Sequence, residues 1–448
     1  MGVDTSREDY RRALNHVGGG RIPVDFGATA VTGMHVSCVA ALREYYGMEK
    51  RPVKVIEPFQ MLGEIDDELK DEIGVAVEGV YGPVSNFGFR NEGWKPWIFN
   101  GLEVLVPAKF NVTIDKGAVN GAAPSAFVGD NGNRPAVFGA GSDTDIDGDL
   151  LIYPGGDMTA RPSGRMPKGG FYFDAIIRQE PIDEDDVLDP EDNLEEFKLL
   201  SAQDVDFYKA GAERAALAGR GAIMSLPGCG LGDIALVPGM GMKSPKGIRD
   251  VEEWYISTVA RQGLLHEIFE KQTDIAIKNM KLLKAAVGDL VDAVFLCGAD
   301  FGTQLSTFCS RETFDELYMP HYKKMTSWIR ANTGWKIFKH SCGAVEPLLE
   351  SFIEAGFDIL NPVQCSASGM APAELKAKYG SRLVFWGGGI DTQKTLPFGT
   401  PEEVAAQVRE RCELFAKGGG FVFNAIHNIQ AGTPVENIAA MIEAIKTL

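Results

Sequence analysis

Short apolar runs alternate with amphipathic stretches in the second half of the chain. From about residue 291 onward, runs rich in β-branched and aromatic residues are each followed by a segment with apolar residues at helical spacing. Repeated strand and helix units of this kind predict a parallel sheet. The predicted strands are 293–296, 335–339, 357–360, 383–386 and 421–423, and the predicted helices are 311–330, 345–355, 371–379 and two that begin at Thr400 and Thr433.

The first half is less regular. It contains a predicted helix at 6–16, strands at 22–26 and 222–226, and a long helical region at 251–286. Residues 80–205 read as an insertion of antiparallel strands, at 102–106, 136–138 and 150–153, closed by an acidic run at 183–196 that we interpret as a solvated linker. The sequence therefore predicts an α/β protein, a single (β/α)₈ TIM barrel spanning residues 1–448, with a β-rich insertion at 80–205.

Charge and hydropathy narrow the classes of partner. The 448 residues carry a formal net charge of −18, which opposes the counterion release on which nucleic-acid binding depends. No apolar run approaches the length needed to span a bilayer, and the first ten residues are polar. We expect a cytoplasmic protein that binds neither nucleic acid nor membrane. Its seven scattered cysteines are expected to be reduced.

In a (β/α)₈ barrel, reactive groups lie at the carboxyl ends of the strands. Several chemically capable side chains follow the predicted strands directly. They are Cys297 and Asp300, His340 and Cys342, Asn361 and Cys365, Asp391, and Asn424 and His427. These side chains are expected to face one mouth.

His340 and Cys342 stand two residues apart at a strand end, so both can face the same side and bind one Zn²⁺ ion. A third ligand must come from another strand end, and either His427 or Cys365 could supply it. A lone His-x-Cys is more often a packed cysteine beside a hydrogen-bonded histidine, but its position at a barrel strand end favours the metal site. Three protein ligands with one open position would make the zinc catalytic.

Asp300 and Gln304, in the loop after the 293–296 strand, could bind a polar substrate or steer a proton, and we predict them as catalytic residues. The alternative is a loop that only caps the next helix. The glycines at 387–389 and 228–232 lack the spacing of a dinucleotide fingerprint.

At these residues the sequence resembles the uroporphyrinogen decarboxylase superfamily, and within it the branch of corrinoid-linked methyltransferases. The motifs that carry the resemblance are Arg21-Ile-Pro-Val-Asp-Phe-Gly, Asp300-Phe-Gly-Thr-Gln, His340-Ser-Cys-Gly, Phe357-Asp-Ile-Leu-Asn-Pro-Val-Gln, Gly387-Gly-Gly-Ile-Asp, Phe423-Asn-Ala-Ile-His-Asn-Ile-Gln and Thr433-Pro-Val-Glu-Asn. Among their polar residues we predict Asp25, Asn361, Gln364 and Asn424 to bind substrate.

The resemblance implies a barrel with a deep pocket and, in the zinc-dependent methyltransferases, a His-x-Cys pair completed by a late cysteine. This chain has His427 in the place of that cysteine, so we assign His340, Cys342 and His427 as the metal ligands, with Cys365 as the rival third ligand. Some relatives work without zinc and use tetrahydrofolate as methyl acceptor. The decarboxylase itself has an arginine-rich loop that binds carboxylates, and the matching stretch here, residues 27–35, contains no arginine.

The resemblance thus implies a methyltransferase that moves a methyl group between a corrinoid (cobalamin), carried by a partner protein, and a small molecule. That molecule would be a methoxyl, methylamine or halomethane donor, or a thiol or folate acceptor. The alternative is a lyase acting on a carboxylated substrate. Arg161, Arg165 and Arg178 of the insertion could line the pocket, although we favour a surface position.

Overall fold

The computed structural model describes residues 6–115, 148–183 and 185–448. Its strands are β1 (Val53–Glu57), β2 (Leu62–Gly63), β3 (Val77–Val80), β4 (Lys95–Phe99), β5 (Leu102–Val106), β6 (Val112–Asp115), β7 (Asp149–Ile152), β8 (Gly164–Met166), β9 (Asp174–Ala175), β10 (Gly221–Ser225), β11 (Ala293–Cys297), β12 (Lys336–His340), β13 (Ile359–Asn361), β14 (Val384–Trp386) and β15 (Phe421–Val422). Its helices are α1 (Ser6–Leu14), α2 (Val36–Tyr45), α3 (Asp67–Ile73), α4 (Ala202–Leu217), α5 (Val251–Ala260), α6 (Gln262–Val287), α7 (Arg311–Thr313), α8 (Met319–Asn332), α9 (Leu349–Glu354), α10 (Pro372–Tyr379), α11 (Thr395–Phe398), α12 (Pro401–Phe415) and α13 (Val435–Lys446).

Seven strands form one parallel sheet, in the order β15-β14-β13-β12-β11-β10-β3. The eighth position is filled by Val24, which makes parallel bridges to Phe423 at one edge of the sheet and to Val75 at the other. The Asp25 N–H donates to the Phe423 carbonyl at 2.9 Å, and the Ala76 N–H donates to the Val24 carbonyl at 2.8 Å. These bonds close the sheet on itself, so the predicted (β/α)₈ barrel is confirmed.

The predicted strand at 22–26 is reduced to this one bridging residue. Pro23 has no N–H to donate, and it takes part in the pairing only through its carbonyl, which accepts the Phe423 N–H at 2.8 Å. The segment therefore joins the two edges with few hydrogen bonds and continues directly into the loop that begins at Gly27.

Alternating residues of the strands fill the inside of the barrel, as the period of two requires. Tyr10 of α1 enters this group and lies edge-on to Trp386, with ring centroids 5.6 Å apart. The inner cluster includes Val77, Ile223, Ala293, Phe338, Ile359, Val384, Trp386 and Val422. Because Phe338 faces inward, His340 two residues later also faces inward, whereas Lys339 between them faces the surrounding helices.

Asp25 is a fully buried carboxylic acid beneath the mouth of the barrel. Its Oδ1 accepts the Ala28 N–H at 2.8 Å, and its Oδ2 accepts the indole N–H of Trp386 at 2.9 Å. Burial raises the pKa of Asp25 to about 7, although these hydrogen bonds to the carboxylate oppose the shift. The side-chain N–H of Asn424 donates to the backbone carbonyl of Asp25. Asp25 and Asn424, two of the four residues predicted to bind substrate, thus tie the closing segment to the barrel.

The predicted insertion contains strands of two further sheets, ordered β2-β1-β5-β4 and β6-β7-β8-β9. The strand predicted at 102–106 is β5, and the one predicted at 150–153 is β7, one residue earlier, while the strand predicted at 136–138 lies outside the described residues. Arg161 and Arg165 are exposed, in agreement with the surface position that the sequence analysis favoured. Arg178 is instead buried and donates to the carbonyls of Gly239 and Met242, both at 2.7 Å.

Two predicted segments differ from the structure. The helical region at 251–286 is two helices, α5 and α6, separated at Arg261. The acidic run at 183–196 is not solvated throughout, because Asn193 is buried and Glu196 forms an ion pair with the buried Arg249 at 2.7 Å. A buried guanidinium requires a charged partner, which the end of the run supplies. Among the described residues, no helix combines the length and the apolarity needed to cross a membrane.

We predict that Trp386→Phe destabilises the protein more at pH 8 than at pH 5. The folded-state pKa of Asp25, about 7, lies above the unfolded value of ~3.9, so the folded state holds the proton more tightly and stability falls as pH rises through this window. The variant removes one hydrogen bond to the ionised carboxylate, at a cost of about 1–3 kcal/mol that is felt mainly when Asp25 is charged.

Urea unfolding of both proteins at the two pH values measures the difference. Trp335→Phe is the control, because its buried indole N–H has no hydrogen-bond partner among the described residues. An equal loss at both pH values in the Trp386 variant would contradict the assignment of Asp25 as the titrating partner.

Candidate metal centre

The three predicted metal ligands converge at the carboxyl end of the barrel. His340 ends β12, Cys342 follows it by two residues, and His427 lies in the loop after β15. One donor atom from each residue lies within 4.8 Å of the other two. We call His340, Cys342 and His427 the ligand cluster. His340 is buried, and the other two are partly exposed, so the cluster is reached from the mouth side.

The ring of His340 is held in one tautomer by Asn361. The Asn361 side-chain N–H donates to the Trp386 carbonyl at 2.9 Å, so its Oδ1 faces His340 Nδ1 at 2.6 Å. An amide oxygen can only accept, and Nδ1 must therefore carry the hydrogen. The lone pair of the neutral ring is left on Nε2, which lies 3.5 Å from the Cys342 Sγ. This is the arrangement in which a histidine ligates a metal through Nε2.

The peptide groups on both sides of Cys342 are fixed by side chains of neighbouring loops. Its own N–H donates to Asp300 Oδ1 at 2.7 Å, and the following N–H, of Gly343, donates to Gln364 Oε1 at 2.7 Å. Gly343 has a φ of +90°, and a Cβ there would lie 2.3 Å from the backbone of Gly302. Only glycine fits this turn. The direction of the Cys342 side chain is consequently determined by its loop.

His427 is positioned by the residues on either side of it. The N–H of Ile426 donates to the Ile390 carbonyl at 3.1 Å. The Asn428 side chain accepts the Gly33 N–H at 2.6 Å and donates to the Ala30 carbonyl at 2.9 Å. The His427 ring lies 5.8 Å from the His340 ring, centroid to centroid, and the two planes meet at 67°.

Burial makes the cluster neutral when nothing is bound to it. It lowers the pKa of His340 to about 4, and it lowers the pKa of His427 to about 4 with a further contribution from His340. Burial also raises the pKa of the Cys342 thiol well above its usual value, and the nearby Asp300 carboxylate adds to the shift. Two unprotonated imidazoles face a thiol whose ionisation requires a nearby cation.

Two charged residues that the sequence analysis did not single out contribute to the electrostatic field at the cluster. Lys339, fully buried on the outer side of β12, donates to the carbonyl of Ala299. Asp233, in the loop after β10, is a second carboxylate near Asp300, and burial followed by repulsion from Asp300 raises the pKa of Asp233 to about 6. The sequence signal for Lys339 was a lysine inside the apolar run Trp335-Lys-Ile-Phe-Lys-His. Asp233 lies in a glycine-rich stretch that offered no such signal.

The remaining predicted residues take distinct places around the cluster. The Asp300 side chain is 29% exposed, and its Oδ1 lies 3.5 Å from His340 Nε2. Gln364 contacts the cluster loop, and Gln304 contacts Gln364. The rival ligand Cys365 is outside the set of converging donor atoms, and its thiol donates to the Val363 carbonyl at 3.3 Å.

Asp25 and Asn424 lie at the closing segment of the barrel, where their hydrogen bonds are to the protein itself. The Asn424 Oδ1 is buried without a hydrogen-bond partner among the described residues. The predicted roles of these two residues and of Asn361, Gln304 and Gln364 toward a substrate stay predictions.

The donor set fits a borderline-soft divalent cation. Bond lengths of about 2.0–2.1 Å to nitrogen and 2.3 Å to sulfur place the N and S donors of a tetrahedral zinc about 3.5 Å apart. His340 Nε2 and Cys342 Sγ already have this separation, at 3.5 Å. The Asn361 hydrogen bond supplies the outer contact that metal-binding histidines usually make.

Fold and site define this protein as a (β/α)₈ barrel with a candidate metal centre at its carboxyl face. Residues 242–448 match the family model described as Uroporphyrinogen decarboxylase (URO-D). The predicted resemblance to the uroporphyrinogen decarboxylase superfamily is thereby confirmed over this part of the chain.

Individual proteins resemble the chain more distantly. It is 24% identical over 191 residues to a uroporphyrinogen decarboxylase of Anaeromyxobacter dehalogenans, which covers 42% of this chain and 49% of the relative. It is 25% identical over 214 residues to the same-named protein of Psychromonas ingrahamii, covering 44% and 56%. The chain thus spans about half the length of the curated relatives it matches. A solved structure of a methyltransferase from Methanosarcina mazei aligns over 99% of both chains, with 13% identity and a TM-score of 0.48.

We predict that the purified protein binds about one equivalent of Zn²⁺ or Co²⁺, and that His340→Ala, Cys342→Ala and His427→Ala each lose it, because two remaining donors do not form a site. Elemental analysis after dialysis measures the metal content. Cys365→Ala is the matched control and should retain the metal. Loss of metal in the Cys365 variant, with retention in the His427 variant, would reverse the assignment of the third ligand.

We predict that Asn361→Leu weakens metal binding by about 10–100-fold, because it removes the acceptor that fixes the tautomer of His340. Asn361→Asp keeps an acceptor opposite Nδ1 and should lose less. Competition with a chromophoric chelator gives the dissociation constants. Equal affinities for the two variants would argue against the role of Asn361 Oδ1.

Proposed function

We propose that this protein is a methyltransferase that transfers a methyl group between a corrinoid, carried by a separate protein, and a small methyl donor or acceptor. The observation that carries the proposal is the convergence of His340, Cys342 and His427 at the mouth of a barrel of this superfamily. Two neutral imidazoles and a thiol are donors suited to a catalytic zinc.

His340, Cys342 and His427 would hold the zinc, and a metal bound there supplies a Lewis acid that can hold a thiol substrate as its thiolate or polarise a methyl donor. Asn361 keeps the His340 lone pair directed at the cluster. Asp300 fixes the Cys342 backbone through its Oδ1. Its partly exposed carboxylate is the group that we predict to orient a polar substrate beside the cluster.

The reaction moves a methyl group without its bonding electrons, so the donor heteroatom keeps the electron pair and the corrinoid cobalt gains the carbon bond, or the reverse with an acceptor. Tetrahydrofolate is an acceptor consistent with the proposal, as is a thiol. Decarboxylation of a tetrapyrrole is disfavoured, because the loop at residues 27–35 provides no arginine to neutralise several carboxylates.

We predict that the protein changes the visible spectrum of methylcob(III)alamin in the presence of a thiol or folate acceptor, or of cob(I)alamin in the presence of a methoxyl, methylamine or halomethane donor. His340→Ala and Cys342→Ala should abolish the change, and Cys365→Ala should retain it. No spectral change with any of these classes would contradict the proposal. Release of carbon dioxide from a carboxylated substrate without corrinoid would favour a lyase instead.

A further inference from the structure

Three loops of the barrel mouth are joined through two glutamine side chains. Gln364 Oε1 accepts the Gly343 N–H at 2.7 Å, and Gln364 Nε2 donates to Gln304 Oε1 at 3.0 Å. Gln304 Nε2 donates in turn to the Ser366 carbonyl at 2.6 Å. These contacts link the loops that follow β11, β12 and β13. We call Gln364 and Gln304 the glutamine relay.

The direction of the relay is set at both ends by the backbone. The Gly343 N–H can only donate, so the Gln364 atom facing it is the oxygen. The Ser366 carbonyl can only accept, so the Gln304 atom facing it is the nitrogen. In the contact between the two side chains, the Gln364 N–H therefore donates to the Gln304 oxygen. Exchanging the nitrogen and oxygen of either amide would break at least one of the three hydrogen bonds.

The relay acts on the residue that precedes Gly343, which is Cys342. With Asp300 holding the Cys342 N–H, Gln364 holds the next peptide group, and these two peptide planes define where the Cα–Cβ bond of Cys342 points. Gly343 cannot resist a change by itself, because glycine has wide conformational freedom. Loss of the Gln364 contact would release the second plane.

We infer that Gln364, oriented by Gln304, is a positioning residue for Cys342 as the thiol ligand of the cluster. The inference rests on the proposed function for the metal, but it assigns these two glutamines, predicted as substrate-binding and catalytic, a different task. They contact the loop that carries the ligand and set the geometry in which the thiolate meets the cation. Metal-site residues at this distance commonly alter affinity by about 10–100-fold.

The experiment is Co²⁺ titration of the metal-free full-length protein, followed by the sulfur-to-cobalt charge-transfer absorption, which reports thiolate ligation. Gln364→Met is expected to raise the dissociation constant by about tenfold or more and to weaken the charge-transfer band. Gln364→Glu keeps an acceptor for the Gly343 N–H and should restore part of the affinity. Gln304→Met, one step further away, should give a smaller rise.

Gln407→Met is the matched control. Gln407 Oε1 accepts the Asp391 N–H at 2.9 Å in the loop after β14, so this glutamine also supports a mouth loop, but not the one with Cys342. Its variant should bind Co²⁺ like the parent. Parental affinity and an unchanged band in Gln364→Met would overturn the inference. If the parent protein binds neither Co²⁺ nor Zn²⁺, the metal site of the proposed function is contradicted. That outcome differs from one in which the parent binds metal and Gln364→Met has no effect.

Discussion

The structure depends on a single bridging residue that turns an open sheet into a barrel. Val24 pairs with both edges, and three backbone hydrogen bonds, made by Pro23, Val24 and Asp25, complete the pairing. A parallel sheet with free edges would expose unpaired N–H and C=O groups, and it would leave the loops after β12 and β15 on separate parts of a twisted surface. Closure brings these loops around one axis. His340 and His427, far apart in sequence, can then face each other.

Within the closed barrel, alternate residues of each strand face inward, so the register of the strand decides which side chains lie at the mouth. In β12 the inward positions are Phe338 and His340, and the outward position between them is Lys339. The Lys339 ammonium lies over the rings of Phe301 and Phe352, at 4.9 and 5.4 Å from their centroids, and donates to the Ala299 carbonyl. A shift of one residue in register would exchange these environments. The imidazole would then pack among the helices, and the ammonium would occupy the place of a metal.

The sequence predicted much of this because strand ends and barrel geometry are local and general properties. The alternation after residue 291 located the five strands, and the rule that loops at carboxyl ends meet made His340, Cys342 and His427 neighbours. The helix start predicted at Thr400 is likewise present, and the structure adds a capping box between Thr400 and Glu403. Strand position alone did not separate His427 from Cys365, since both follow strands, and the choice of His427 rested on the family resemblance. In the structure the Cys365 thiol donates to the Val363 carbonyl, whereas a donor atom of His427 lies within the cluster.

Other features were beyond sequence reasoning because they depend on partners distant in the chain. Asp25 was predicted from its motif, yet its carboxylate accepts the indole N–H of Trp386, and the residue thereby joins the closing segment to β14. The break at Arg261 and the buried Arg249 belong to the same category. No local pattern distinguishes an acidic run that stays in solvent from one whose last glutamate meets a buried guanidinium.

The inserted sheets are attached to the mouth of the barrel. The Phe171 carbonyl contacts the ring of His35, and Arg178 is anchored on the loop that follows β10, so the insertion is fastened to two of the segments that rim the entrance. The ligand cluster, in contrast, is built wholly from the matched carboxyl-terminal domain. The candidate metal ligands and the insertion that borders the mouth therefore come from separate stretches of the chain. Substitutions in the insertion can therefore alter the border of the mouth while His340, Cys342 and His427 keep their arrangement.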